Sequence, residues 1–160
     1  MQRLTHLDAS GRVQMVDVGD KPITRRIAVA QGEIRMQRGT LEAVRAGQVE
    51  KGEALAVARI AAIQGAKNAS AMIPLCHPIP LDAVDVDIEE VDTLPGYRLR
   101  VRTSAEWRTG VEMEAMSGVA AGLLALYDMC KAMDRGMTVG PIGLLEKRGG
   151  RSGSWQADAK

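Results

Sequence analysis

The chain has 160 residues, enough for one domain with its own core, and its net charge of +1 with 26% charged residues argues against a strongly basic nucleic-acid binder. Its two cysteines, Cys76 and Cys130, lack a CxxC or a second Cys/His pair at zinc-ligand spacing, which argues against a disulfide scaffold and suits a reduced cytoplasm. Phenylalanine is absent, so the core must be built from Ala, Val, Leu, Ile and Met.

Residues 1–22 are polar, broken by Gly11, Gly19 and Pro22, and read as a flexible arm without an apolar leader. The longest apolar run, Val119 to Tyr127, is too short to span a bilayer, so a soluble cytoplasmic protein is expected. A single α+β catalytic domain is expected over 23–148, followed by a glycine-rich basic tail over 149–160. "TRRIAVAQGEIRM" reads as a strand with Ile27 and Val29 on one face and a bulge or turn at Gly32. "TLEAVRAG" is a short helix with Thr40 as N-cap and Gly47 as stop. "EALAVARIAAIQGAKNAS" is a longer helix whose stripe is Leu55, Val57, Ala58, Ala62 and Ala66.

The segment "MIPLCHPIPL", Met72 to Leu81, ends that helix. Its three prolines hold Leu75, Cys76 and His77 in a narrow range of backbone shapes, more stiffness than a covering loop needs. "LDAVDVDIEE" and "YRLRVRT" then alternate apolar and charged residues on either side of an "LPG" turn. Paired as a hairpin, they set Asp85, Asp87 and Glu89 against Arg98, Arg100 and Arg102 on the solvent face, so the arginine row is structural. A long amphipathic helix follows, opened by Thr109 and Glu112 at capping-box spacing and closed at Gly136. Its Gly118 and Gly122 leave room for another helix, read as one from a partner subunit. A short final strand lies in "MTVGPIGLLEKR". The order β, helices, β, β, α, β is that of a ferredoxin-like split βαβ sandwich, an antiparallel sheet with helices on one face.

Asp128 and Lys131, three apart on the long helix, share a face among apolar neighbours, an arrangement that suits acid–base work if partly buried. Glu112 suits the capping box, whereas Glu114 lies on nearly the Asp128 side of the helix but about 21 Å along it. Two such helices packed about a two-fold axis would bring Glu114 of one copy to Asp128 of the other. Arg25, Arg26, Lys51, Lys67, Lys131 and Lys147 have no local partner and together suit a polyphosphate, although neither GxxxxGK[ST] nor GxGxxG occurs.

Through "MIPLCHPIPL", "TGVEMEAM" and "LYDMCKAMDRGM", and through "LTHLDASGRVQMVDVGDK", "KGEALAVARIAAIQGAK" and "GPIGLLEKRGGRSG", the chain resembles the molybdenum cofactor biosynthesis protein C family, the cyclic pyranopterin monophosphate synthases. The resemblance implies a ferredoxin-like subunit in a homohexamer, a trimer of dimers with active sites at subunit interfaces. It implies a phosphorus–oxygen lyase that converts a cyclised dihydro-GTP, made by a radical enzyme, to cyclic pyranopterin monophosphate and diphosphate, upstream of molybdopterin synthase. By the same resemblance Asp128, Lys131 and Lys51 are catalytic. Leu75, Cys76, His77, Met113, Glu114 and Glu112 contact substrate, and Arg26, Lys67 and Lys147 are phosphate or proton-transfer partners. No protein-bound metal or cofactor is implied, although a divalent cation such as magnesium is compatible with the triphosphate. The competing readings are a non-catalytic, small-molecule-binding regulatory domain of the same fold, an RNA-recognition domain stacking bases on Tyr97 and Trp107, and a thiol enzyme using Cys76. The last is disfavoured because Cys76 and His77, adjacent in an extended loop, should point to opposite sides.

Overall fold

A computed structural model describes residues 6–158. The elements run β1 (Thr24–Arg35), α1 (Arg38–Arg45), α2 (Ala54–Lys67), α3 (Ala69–Met72), β2 (Ala83–Val91), β3 (Gly96–Trp107), α4 (Glu112–Cys130), β4 (Thr138–Arg148) and β5 (Trp155–Gln156). The strands form one antiparallel sheet in the order β2-β3-β1-β4-β5. Without β5 this is the ferredoxin-like α+β arrangement, with α2 and α4 packed on one face. Among the described residues no helix is long and apolar enough to cross a membrane.

The alternation in β1 does select a core face, but the buried set is Ala28, Ala30, Gly32 and Ile34, and the larger Ile27 and Val29 lie on the opposite face. The strand does not turn at Gly32. A methyl there would come within 2.8–2.9 Å of Val119, Ile142 and Leu123, so the glycine lets α4 press directly on β1, and one of the two register shifts in the pairing with β4 falls beside it, between Gly32 and Ile34. Leu99, Val101 and Ala105 of β3 meet Val119, Leu123 and Leu126 of α4 across the core.

The two long helices touch through small residues. Ala54, Ala58, Ala62 and Ala66 form the buried stripe of α2, while Leu55 is only half-buried and Val57 is exposed, because α4 lies against the alanine side. A methyl at Gly118 would lie 3.0 Å from the Ala62 carbonyl, and one at Gly122 would lie 2.4 Å from Leu99 and 3.0 Å from the Ala62 methyl. The glycines therefore accommodate α2 of the same chain and not a helix of a partner subunit, as their spacing had suggested.

The charged hairpin has the expected register, with Asp85 opposite Arg102, Asp87 opposite Arg100 and Glu89 opposite Arg98. Asp85–Arg102 and Glu89–Arg98 pair at 3.2 and 3.5 Å. Arg100 instead donates to Gln31 at 2.9 Å, and Arg98 also pairs with Glu33 at 2.8 Å, so β1 shares the row. Each exposed pair contributes at most about 1 kcal/mol. Tyr97 points into the core at 3% exposure, which removes the stacking platform an RNA-recognition sheet would need.

Helix ends depart from their sequence signatures. Thr40 is buried inside α1, whose N-cap is Gln37, and α4 starts after Val111 with no side-chain cap. Thr109 and Glu112 form no capping box, because the Glu112 carboxylate turns to Lys147 at 3.3 Å. The buried Thr103 hydroxyl donates to the Val111 carbonyl at 2.9 Å and so ties this helix end to β3. At the other end α4 stops at Cys130, not at Gly136. Asp134 secures the following turn by accepting from the Gln37 and Gly136 amides at 2.8 and 3.0 Å. The final strand is 11 residues long, and the tail turns back to add β5, with Trp155 paired to Lys147.

Candidate active site

The prolines of Met72 to Leu81 lead the chain past the N-terminal end of α4, where Leu75, Cys76, His77, Met113, Glu114 and Glu112 line one cleft of about 270 Å³. His6, Val16, Val18 and Lys21 of the N-terminal arm complete its wall. Glu114 is only 3% exposed. Its Oε1 accepts from the Cys76 thiol at 3.5 Å, and its Oε2 has no hydrogen-bond partner. Burial raises the pKa of this carboxyl above the usual range. The Cys76 thiol is pushed up to about 11, first by burial and then by the Glu114 carboxylate beside it. Cys76 and His77 thus face the same cleft, contrary to the expectation from an extended loop, yet the thiol is bonded toward Glu114 and held protonated. This disfavours a nucleophilic role on grounds other than direction.

A larger cleft of about 690 Å³ adjoins the first and shares Lys21, Thr109, Gly110 and Glu112 with it. Arg26 and Lys147 belong to this cleft. Arg26 donates to the carbonyls of Trp107 and Arg108 at 3.3 and 3.4 Å, and the Lys147 ammonium donates to the Ser152 hydroxyl at 2.7 Å. On the other side Ile79 separates the first cleft from a third, of about 460 Å³, where the exposed Lys67 stands near Asp82. Among the described residues no group of three or more His, Cys, Asp or Glu is placed to hold a metal ion.

Lys51, Asp128 and Lys131 form a separate cluster at the C-terminal end of α4. The Asp128 carboxylate accepts from Lys131 at 2.7 Å and from Lys51 at 2.8 Å, and the Lys51 ammonium also reaches the Asp128 carbonyl at 3.0 Å. All three are exposed, so the partly buried pair expected from the apolar neighbours is a solvent-facing triad. The ammoniums of Lys131 and Lys51 hold the Asp128 carboxyl down at about 2, and Asp128 raises the Lys131 pKa in turn. The triad therefore carries one negative and two positive charges at neutral pH. Fourteen helical residues separate it from Glu114, about 21 Å, so one chain does not bring the two groups together.

Four of the five strands, all the helices, the triad and most of the cleft lining lie in a stretch that the MoaC family model matches over residues 15–150. The chain belongs to the MoaC family. As a MoaC protein it has a role in molybdenum cofactor biosynthesis. The match ends one residue before Arg151, so the β4–β5 turn lies largely at its edge.

Sequence reasoning missed part of the larger cleft of this MoaC protein. Lys21, Arg108, Arg148 and Arg151 also line the larger cleft. Arg108 ends the "EWR" segment after the charged strand, and Arg151 lies in a segment that reads as tail. The available signal was the clustering of glycine and arginine in "KRGGRSG", a composition that marks turns and anion sites alike.

Proposed function

We propose that this MoaC protein is a cyclic pyranopterin monophosphate synthase, converting (8S)-3',8-cyclo-7,8-dihydroguanosine 5'-triphosphate to cyclic pyranopterin monophosphate with release of diphosphate. The observation that carries this reading is the adjacency at the N-terminal end of α4 of a cation-lined cleft and a smaller cleft built around the buried Glu114. A nucleotide-derived triphosphate has these two ends. Arg26 and Lys147 suit its phosphates, while Glu114, His77 and the backbone of Leu75 to His77 suit the edge of its ring system. The prolines keep that wall from relaxing around a wrong orientation.

Forming the cyclic phosphate requires a sugar hydroxyl to attack the α-phosphorus. The new O–P bond replaces the bond to diphosphate, which leaves with the electron pair, and the hydroxyl proton passes to a base. The triad offers an ionised carboxylate as acceptor and two ammoniums as proton donors and fixed charge. Its distance from Glu114 along α4 favours a site completed by a second copy, consistent with a two-fold arrangement of subunits. Diphosphate should appear when the protein is incubated with the cyclised nucleotide. Folded protein that binds the nucleotide without releasing diphosphate would replace this reading with a non-catalytic binder. Mixing inactive Glu114→Ala and Asp128→Ala proteins should restore part of the activity after subunit exchange, and no recovery in verified mixed oligomers would refute the shared site.

A further inference from the structure

We propose that Asp134 is a positioning residue for the triad of Lys51, Asp128 and Lys131, tying the turn that follows Lys131 to the start of the helix that leads to Lys51. The inference rests on the catalytic role given to the triad above and assigns a residue that lines none of the three clefts and makes no ion pair with the triad.

Asp134 and Glu114 are the two buried carboxylates among the described residues, each 3% exposed. Glu114 belongs to the first cleft, whereas both oxygens of Asp134 are spent on the backbone. Its Oδ1 accepts from the Gly136 amide at 3.0 Å within the turn, and its Oδ2 accepts from the Gln37 amide at 2.8 Å across the fold. The needs of α4 do not explain this carboxylate, because a negative charge just past the C-terminus of a helix faces the negative end of its dipole. Helix α1 does explain it. Gln37 is the N-cap of α1, which has no side-chain cap and no acidic residue in its first turn. In a capping box a glutamate three residues on would accept from the N-cap amide, but that position holds the buried Thr40, and Asp134 takes the task from a distant part of the chain.

The tie joins the two segments from which the triad is assembled. Lys131 is the C-cap of α4, and the turn after it folds back by the Met133 and Asp134 amides donating to the Cys130 carbonyl at 2.9 and 3.2 Å. Lys51 lies between α1 and α2, two residues after the buried Val49. Among the described residues, the side-chain hydrogen bonds joining 127–137 to 36–53 are those of Lys51 to Asp128, which are exposed, and that of Asp134, which is buried. Helix α1 touches the other elements only lightly, so a looser start leaves the whole helix, and the Lys51 segment after it, freer to move.

Gln37→Pro is the sharpest variant. Proline has no amide hydrogen, and Gln37 already has φ of −67°, so the substitution removes the donor and keeps the backbone. Asp134→Asn tests the other side, since its amide group turns a donor toward one of the two backbone donors. In substrate-free protein, carbon NMR titration at the Lys131 Cε reads the pairing with Asp128. Both variants should lower the Lys131 pKa, because Asp128 is what raises it, and the double variant should go no lower than the single ones. In turnover kcat should fall about 10-fold with little change in KM, as expected for lost positioning. Val101→Ala, which loses core packing on β3, should lower the melting temperature and leave the Lys131 titration in place. If Asp134→Asn does not fold, Gln37→Pro decides alone. An unchanged Lys131 titration in folded Gln37→Pro, or an equal shift in Val101→Ala, overturns the proposal. The two readings fail separately: a shifted titration with no diphosphate release even from wild type keeps the role of Asp134 and removes the synthase, and wild-type turnover that both variants retain in full does the reverse.

Discussion

Replacing Gly65 by alanine tests how closely α2 and α4 are held. The added methyl would sit 2.4 Å from the Ala121 methyl and 2.8 Å from the Ser117 carbonyl oxygen. Carbon atoms in contact normally stand about 3.5–4 Å apart, and neither neighbour can swing aside, one being a β-carbon and the other backbone. The helices must separate by about 1 Å near the C-terminal end of α2, loosening the end of the alanine stripe as well. Overpacking of this kind costs about 1–3 kcal/mol, while the better helix propensity of alanine returns about 1 kcal/mol. A net loss of up to about 2 kcal/mol corresponds to a fall in melting temperature of up to about 8 °C for a chain of this size. Gly39→Ala is the control, since its methyl would meet nothing within 4 Å on the exposed side of α1, and it should stabilise by up to about 1 kcal/mol. Thermal melts of the three proteins by circular dichroism in one buffer decide the matter. A Gly65→Ala protein that melts at or above wild type would refute the claim that this contact sets the interhelical distance.

Asp128→Asn should lower diphosphate release by about 10²-fold or more while leaving the melting temperature nearly unchanged, because the triad is solvent-facing. Asp128 raises the Lys131 pKa, so without the carboxylate the ammonium gives up its proton sooner and the alkaline limb of the pH–rate profile should move to lower pH. In wild type the Asp128 carboxylate should stay ionised in the folded protein until the pH approaches 2. Cys76→Ser should retain most activity, and wild-type Cys76 should resist alkylation at neutral pH, since its thiol ionises only near 11; rapid labelling at pH 7 would contradict this.

The sheet was legible where one face meets water. Alternation in the 83–91 and 96–107 segments set the hairpin register, because a slip of one residue would bury three carboxylates. In β1 the alternation separated two faces without saying which is inward, and the core side is the one of small residues, because α4 approaches too closely for anything but Ala and Gly along most of the strand. The Gly118/Gly122 spacing revealed a close helix contact but could not say whether the other helix belongs to the same chain. Of the site, the Asp128–Lys131 pair and the proline-held wall were readable from spacing, and Lys51 came from resemblance. Lys21 and Arg151 were not, because segments without periodicity carry no sign of where they fold back. The tail itself gave no strand signal, since β5 is two residues long and depends on β4 for its pairing.

The chain has two tryptophans, so its indole emission comes from two places, and the backbone of each meets a cation of the larger cleft. The Trp107 carbonyl accepts from Arg26, and Trp155 is paired with Lys147 across the β4–β5 turn, its side chain 47% exposed. The two indoles thus differ in exposure, Trp107 being packed against the core, so iodide should quench mainly the Trp155 emission and report whether the short β5 stays paired on β4.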